Sequence, residues 1–413
     1  MFNQILMFAI DELIVSPSRE FYDKLFANLD LSNIQPTKFA HTGRKPTDFH
    51  ALIRAFIVMK CERFSQISDL WDYLNNNRII AYSCGFGFNV PSYSVLQRFI
   101  KNCDHVILEK LMQNQVLKCD ELGLISTKNI AEDSTQIYAN TCHNNAKTFM
   151  SNKFSNDNPP SSDPDCHLGF HANSNALGET KGEYYWGYKE HVLLDATSGL
   201  PICTTTTGAN VHDSKVTLDM LTKTHAFLSI AGCNFIGDMA FDSEEIYAEI
   251  KRTYQGKCFI PLNSRGKKSV NINENGRPVC ECGLVMVKNG KRFKNNCHFQ
   301  RYTCTCNSNR TAECPANKGK RCDCYLPLET TLRLSINRET LAFKRTYAKR
   351  TEVERYNSRF KSLGTERAWV RNGKSVKNMN LIAHISLLTV AITAAKTDKN
   401  LSLLGLKSLK RAC

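Results

Sequence analysis

Three carboxylates occupy positions from which they could hold a divalent metal. Asp133 follows the strand-like run "NIAE", Asp238 ends the strand-like run "NFIG", and Glu354 lies in "YAKRTEVERYNSRFKSLG", Tyr347 to Gly364. Carboxylates at strand ends and on a nearby helix can converge at one edge of a sheet. There Mg2+ or Mn2+ keeps coordination positions open for phosphate oxygens and water. Two such ions about 4 Å apart activate the attacking oxygen and stabilise the leaving one in an in-line phosphoryl displacement. From spacing alone this is one reading among several. The chain has 39 acids, which offer many triplets, and any acid can equally be a solvated side chain or a cap. Asp242 in "DSEE" reads as a helix cap, and His212-Asp213 as a helix start.

The Glu354 segment sorts its residues onto two faces. At about 100° per residue, Tyr347, Arg350, Glu354 and Lys361 fall within roughly 60° of one another, while Val353, Tyr356, Phe360 and Leu363 gather on a stripe roughly 130° away. One side therefore packs on a core and the other presents an acid between two bases. Glu352 lies about 160° from that face and reads as a surface acid. Arg350 and Glu354, four apart, can also simply pair along the helix, a contact worth a few tenths of a kcal/mol.

A second group of candidate ligands is soft. Between Asn263 and Cys324 stand eight of the 18 cysteines: Cys280, Cys282, Cys297, Cys304, Cys306, Cys314, Cys322 and Cys324. The three Cys-x-Cys pairs, Cys280/Cys282, Cys304/Cys306 and Cys322/Cys324, are tighter than the usual zinc-knuckle spacing. Thirteen Lys/Arg face four Asp/Glu in the same stretch. Zinc is the soft-ligand ion that fits thiolates best; the alternative is a basic, cysteine-rich loop that orders on DNA. Lys291, Arg292 and Lys294 are its densest basic cluster.

Elements that would carry these residues follow from period and punctuation. Residues of about 40 to 125 read as short helices: "PTDFHALIRAFIVMKCERF" with Thr47 as N-cap, "SQISDLWDYLNNN" from Ser65, and "PSYSVLQRFIKN" after Pro91. Exposed bases on short, tightly linked helices fit a helix-turn-helix-like DNA module or an ordinary bundle. Next come a strand, "KNIAEDSTQIYAN", and a polar loop, "SNKFSNDNPPSSDPD". "YYWGYKEHVLLDATSGLPICTTTTGAN" then reads as two strands turning at Ser198-Gly199. A helix, a strand, a helix and a strand complete an α/β layer with a mixed sheet. Helices resume near 338, and "LIAHISLLTVAITAA", short for a bilayer and containing His384, reads as buried. The segments expected are 1–125, helical and DNA-binding; 126–262, the first part of the catalytic core; 263–325, the Cys-rich basic insertion; and 326–413, the C-terminal helices of the core.

The 413 residues are enough for two or three domains, and 42% hydrophobic content supports real cores. A net charge of +15 with pI near 9.0 points to a polyanionic partner, nucleic acid before membrane. The opening "MFNQILMFAIDELIV" lacks the basic start of a secretory signal, so a cytoplasmic, reducing setting is expected.

The motifs together resemble the DDE transposases of bacterial insertion sequences. Tyr347-x2-Arg350-x3-Glu354-x6-Lys361 matches that family's C-terminal signature without a gap. "EDSTQIYAN" around Asp133, "GDMAFDSEEI" around Asp238 and "GYKEHVLLDATSGLPICTTTTGANVHDS" between them are similar to family segments, as are "GRKPTDFHALIRAF" and "SYSVLQRF" near the N-terminus. Ser134 stands where glycine is common, and "MAF" follows Asp238 where "KGY" is common. The resemblance implies a ribonuclease H-like mixed sheet flanked by helices. It implies Asp133, Asp238 and Glu354 as catalytic metal ligands for Mg2+ or Mn2+. It also implies DNA contacts by Tyr347, Arg350, Lys361 and Arg371, and a homodimer that pairs terminal inverted repeats with target DNA at the nucleoid. Trp186 and Trp369 are candidates for stacking on a flipped base. The function so implied is metal-dependent cleavage at element ends and strand transfer; the rivals are a non-catalytic repressor derived from a transposase, and a nuclease that cuts without joining.

Overall fold

The computed structural model describes residues 16–35, 46–87, 89–141, 159–174, 180–263, 270–273, 277–294, 297–306, 322–327, 332–398 and 402–413. The opening 15 residues, most of the polar loop before 159, Cys314 and the side chain of Cys297 lie outside them.

Among the described residues six helices come first: α1 (Pro17–Ala27), α2 (Phe49–Cys61), α3 (Ile67–Asn76), α4 (Arg78–Cys84), α5 (Tyr93–Asn102) and α6 (His105–Glu121). The N-cap of α2 is Asp48, one residue beyond the expected Thr47; its carboxylate accepts from the His50 amide at 2.9 Å. α3 starts two residues after Ser65, behind a capping box made by Gln66 and Asp69.

Strands β1 (Asn129–Tyr138), β2 (His167–Ser174), β3 (Thr180–Asp195), β4 (Pro201–Gly208), β5 (Asn234–Ile236) and β6 (Lys257–Phe259) form one mixed sheet. β3 runs antiparallel to both β1 and β4, while β5 runs parallel to β1 and β6 parallel to β5. The parallel strands need crossovers. These are α7 (Thr217–Phe227) before β5 and α8 (Glu244–Arg252) before β6. The β3–β4 turn falls where expected, and Gly199, at φ +72°, supplies its left-handed residue. β2 is not apparent in the sequence reading, because "HLGFHANS" has neither clean alternation nor branched residues; it owes its strand form to pairing with β3.

The stretch expected to be an irregular insertion has sheet structure of its own. A hairpin of β7 (Asn271–Ile272) and β8 (Pro278–Val279) precedes an antiparallel sheet of β9 (Val287–Lys294), β10 (Cys297–Thr303) and β11 (Asp323–Pro327). The chain ends in helices α9 (Leu332–Ser335), α10 (Leu341–Tyr347), α11 (Thr351–Phe360), α12 (Gly373–Thr397) and α13 (Leu406–Ala412).

α12 organises the core. It is the one helix among the described residues long and apolar enough to cross a bilayer, yet 94% of its most apolar window is buried within the protein. It packs on α2 and α6 on one side and on β4 on the other. Its polar side chains are spent on these neighbours. Gln115 donates to the Thr389 hydroxyl at 2.8 Å, and Asn378 donates to the carbonyls of Ile100 and Cys103 at 2.9 Å. One hydrophobic cluster consequently runs from Phe21 through the sheet to Leu409.

Candidate active site

Asp133 and Asp238 are brought together by sheet register. β1 and β5 pair in parallel through Asn129–Asn234, Ile130–Phe235 and Ala131–Ile236. Each acid sits two residues past the last of these pairs, at the same end of strands that run about 4.8 Å apart. Asp133 does not follow its strand, as the sequence indicated, but lies inside it: β1 continues to Tyr138 against β3. β5 stops at Ile236, so the β5 side of Asp133 is left open, and the chain after Gly237 turns into a short 3-10 segment. Asp238 caps that segment, accepting from the Ala240 amide at 2.7 Å.

The third acid arrives from α11. Tyr347, Arg350, Glu354 and Lys361 lie on a nearly continuous helical path, with a 3-10 turn at Ala348–Arg350 and a wide turn at Lys361–Thr365. The apolar stripe is buried as expected at Val353, Tyr356, Phe360 and Leu363. Arg350 donates to Glu354 at 2.8 Å and also reaches toward Asp133 at 3.9 Å. Asn357, one turn on, donates to Asp133 at 3.3 Å. The Glu354 side chain is 58% exposed, so its bond to Arg350 is weakly held. The three carboxylates do not close on one another as tightly as a preformed metal cage: among the described residues only a thiol cluster has three ligand atoms mutually within 4.8 Å.

Electrostatics show what the cluster lacks. Burial pushes the Asp133 carboxyl up to about 7; Arg350 and the Ser134 amide oppose this, and Asp238 and Asp213 add to it. Burial likewise raises the Tyr347 hydroxyl. Arg350 opposes that shift, and Asp238, Glu354 and Asp133 reinforce it, so Tyr347 lies within electrostatic reach of all three acids. Arg350 Nε and Asn357 Oδ1 are buried without a hydrogen-bond partner. A mostly buried carboxylate short of positive charge, beside two more hard oxygen donors and unpaired polar atoms, fits Mg2+ or Mn2+.

Two positioning features were missed in the sequence. His212 and Asp213 do open a helical turn, a 3-10 segment at Asp213–Lys215 with His212 as its N-cap, but the Asp213 carboxylate turns to the sheet. It accepts from the Ser134 hydroxyl at 2.9 Å and from Lys189 at 3.2 Å, and buried His191 stands 3.6 Å away. Burial lowers the His191 pKa, with Asp213 opposing, which favours the neutral ring. Second, α11 is pinned to the sheet through α12. His384 Nε2 faces Glu190 Oε1 at 3.0 Å and His384 Nδ1 faces the Tyr356 hydroxyl at 2.5 Å. A carboxylate can only accept, so Nε2 carries the proton and Nδ1 accepts from Tyr356. A histidine inside the apolar run of α12 was the available signal.

Other candidates scatter. Lys361 lies 3.9 Å from Glu366, and Arg371 donates to the Asn140 carbonyl at 3.3 Å. Trp369 is 40% exposed with Arg367 over its ring, so it remains able to stack. Trp186 does not: it is buried in the core opposite Leu168. Asp242 is no cap. It is buried, bonded to Arg333, Tyr247 and the Asn263 amide, and the Arg333 and Tyr247 contacts offset burial to lower its pKa.

Comparison with known proteins identifies the family. Residues 161–389, more than half of the chain, match the family described as transposase DDE domain, and residues 11–102 match a second family, a transposase domain (DUF772). The first match contains Asp238 and Glu354; Asp133 lies ahead of it. A comparison with curated proteins found no significant match. Among solved structures the chain is similar to a piggyBac transposase in a synaptic complex with hairpin DNA. That likeness spans 95% of this chain and 76% of the other, at 12% identity and a TM-score of 0.41, too loose to carry an argument about residues. On these family matches, the chain belongs to the transposase DDE domain family and is a DDE transposase of the insertion-sequence type.

Proposed function

We propose that this transposase cuts DNA at the ends of its element and joins the freed 3′-hydroxyl to target DNA, using Asp133, Asp238 and Glu354 as ligands for Mg2+ or Mn2+. The observation that carries the reading is the register of β1 and β5, which sets Asp133 beside Asp238, with Arg350 reaching from α11 to both Asp133 and Glu354. Bound divalent ions would supply the positive charge that activates the attacking oxygen and stabilises the leaving one. The chain's own part is alignment and charge. Asp133 and Asp238 hold their positions through the sheet. Glu354, held by Arg350 in the free protein, would help hold such an ion, which would leave Arg350 available to a DNA phosphate. Tyr347, Lys361 and Arg371 line the DNA path around it.

The strand order supports a ribonuclease H-like assignment of the sheet, with residues 1–125 as the DNA-binding helices, 126–262 and 326–413 as the catalytic core, and 263–325 as a Cys-rich insertion. The partners are double-stranded DNA, as terminal inverted repeats and as target, and a second copy of this chain, acting on the cytoplasmic nucleoid.

The test is cleavage and joining of a duplex carrying the element's ends by the full chain and by Asp133→Asn, Asp238→Asn and Glu354→Gln. Each variant should lose Mg2+-dependent cleavage by about 10³-fold or more while binding the duplex, since affinity comes from Lys/Arg contacts with phosphate. Cleavage that survives any of these changes sinks the assignment. Cutting without joining by the unaltered chain makes it a nuclease, and binding without cutting makes it a repressor.

A further inference from the structure

The region between β6 and α9 contains a feature that DNA cleavage does not use. Cys280, Cys282 and Cys304 have thiol sulfurs mutually within 4.8 Å, and the Cys282 and Cys304 sulfurs are 3.5 Å apart. That separation is far beyond the about 2.05 Å of a disulfide. It is close to the roughly 3.8 Å expected between sulfurs that share a tetrahedral ion at about 2.3 Å each.

The backbone is shaped for the same purpose. Cys280 and Cys282 sit on a tight turn in which the Gly283 amide donates to the Cys280 carbonyl at 2.8 Å, with Gly283 at φ +81°. Cys304 and Cys306 leave the end of β10, where the Cys306 amide donates to the Cys304 sulfur at 3.4 Å. An amide aimed at sulfur steadies a thiolate ligand. The Cys304 thiol also interacts with the side chain of Cys306, which puts a fourth sulfur next to Cys304 at the edge of the group of three.

The fold of this region needs such a tie. Among the described residues its hydrophobic core has three buried members, Cys280, Met286 and Tyr302. A core of that size does not hold a small sheet by burial alone. Backbone bonds tie β8 only to residues 284–286 at the foot of β9, through the Cys280 amide to the Leu284 carbonyl at 2.9 Å and the Met286 amide to the Pro278 carbonyl at 2.8 Å, so a shared ion would add a tie from this turn to the far end of β10 at Cys304.

We propose that Cys280, Cys282, Cys304 and Cys306 form a structural zinc site that fastens the β7–β8 hairpin to the β9–β10–β11 sheet. The soft sulfur set selects zinc over the hard ions suited to Asp133. Four thiolates with one Zn2+ leave two negative charges, which the thirteen Lys/Arg of this stretch counterbalance. The site is independent of the cleavage chemistry, and its test reads metal and not activity.

Full-length chain isolated without a metal-affinity tag, under reducing and oxygen-free conditions, should contain about one equivalent of zinc. Cys282→Ser and Cys304→Ser should lose it, and Cys322→Ser should keep it. With Co2+ in place of zinc, the full chain should show intense tetrahedral d–d bands and sulfur-to-metal charge transfer. Well under half an equivalent of zinc in the unaltered chain overturns the proposal, whatever the variants do. A visible iron–sulfur chromophore in fresh protein also overturns it. Zinc retained by Cys306→Ser but lost by Cys322→Ser overturns the assignment of the fourth ligand.

Discussion

The carboxylate edge and the thiol cluster are built by opposite means. Asp133, Asp238 and Glu354 come from β1, the end of β5 and α11, three elements of the large core, and Glu354 is occupied by Arg350. The thiols come from two turns in a region with almost no core, yet they stand mutually closer than the acids do. A structural metal site is closed and helps to hold its fold, whereas a catalytic one keeps positions open and relies on a fold that stands without it. The core around α12 can hold a cluster of partly uncompensated acids, and the region of β7 to β11 has no such reserve.

The sharpest way to break that contrast is to exchange readouts. Glu354→Ala should remove cleavage by about 10³-fold or more with little change in melting temperature. Cys304→Ser should lower the melting temperature and release zinc while the cleavage that remains still depends on Mg2+. Thermal melts and single-turnover cleavage on both variants check this. A Glu354→Ala chain that unfolds, or a Cys304→Ser chain that melts as before, would erase the distinction.

The next effect is one of pH. Asp133 is raised to about 7 in the folded chain, so above its unfolded value of about 4 the native state holds a proton that the unfolded chain has released. Folding stability without metal should therefore decline as pH rises from about 4 to about 7. Divalent ions take the ionised form, so Mn2+ should bind up to about tenfold tighter per pH unit across the upper part of that window and level off above it. Arg350, Asp238, Asp213 and Asn357 are the groups that face Asp133. Calorimetric titration from pH 5.5 to 8.5 measures it; pH-independent affinity would place the metal elsewhere.

Neutralising Lys291, Arg292 and Lys294 to Gln together asks whether the insertion also touches DNA. Lys291 and Arg292 are exposed on β9, with Arg292 over the Tyr325 ring. Affinity for an end-containing duplex should fall about tenfold, and the salt dependence should flatten by a slope of up to about 3. Unchanged binding would leave the charge to solubility. A smaller effect is expected of Asp133→Asn without metal: stability at pH 8 should rise by about 1–2 kcal/mol, and urea melts at pH 4 should show no gain. Least of all, Glu352→Ala should cut within about twofold of the unaltered chain, since Glu352 pairs with Arg355 away from Asp133. A dead Glu352→Ala would refute the face assigned to Glu354.

Local pattern made a good part of this molecule legible. The buried stripe of α11, the burial of α12, the turn at Gly199 and the Cys-x-Cys pairs all follow from period, turn chemistry or composition within a few residues. The Tyr-Arg-Glu-Lys spacing singled out the helix that reaches Asp133, because residues three, four and seven apart must share a face of any helix. Roles set by distant partners were not legible. Asp213 reads only as part of a helix start until Ser134, 79 residues earlier, is placed against it, and Asp242 reads as a cap until Arg333, 91 residues later, is. Trp186 is hidden by the strand beside it, and β2 exists because β3 offers it an edge.

By itself, then, the sequence determined which residues could be ligands and which helix face each would share, since backbone geometry repeats within a few residues. Only the tertiary structure decided that Asp133 aligns with Asp238, that Arg350 stands between Asp133 and Glu354, and that Cys282 meets Cys304 across 22 residues. Those meetings depend on strand register and on how helices pack over a common core, and no short stretch of chain encodes either one alone.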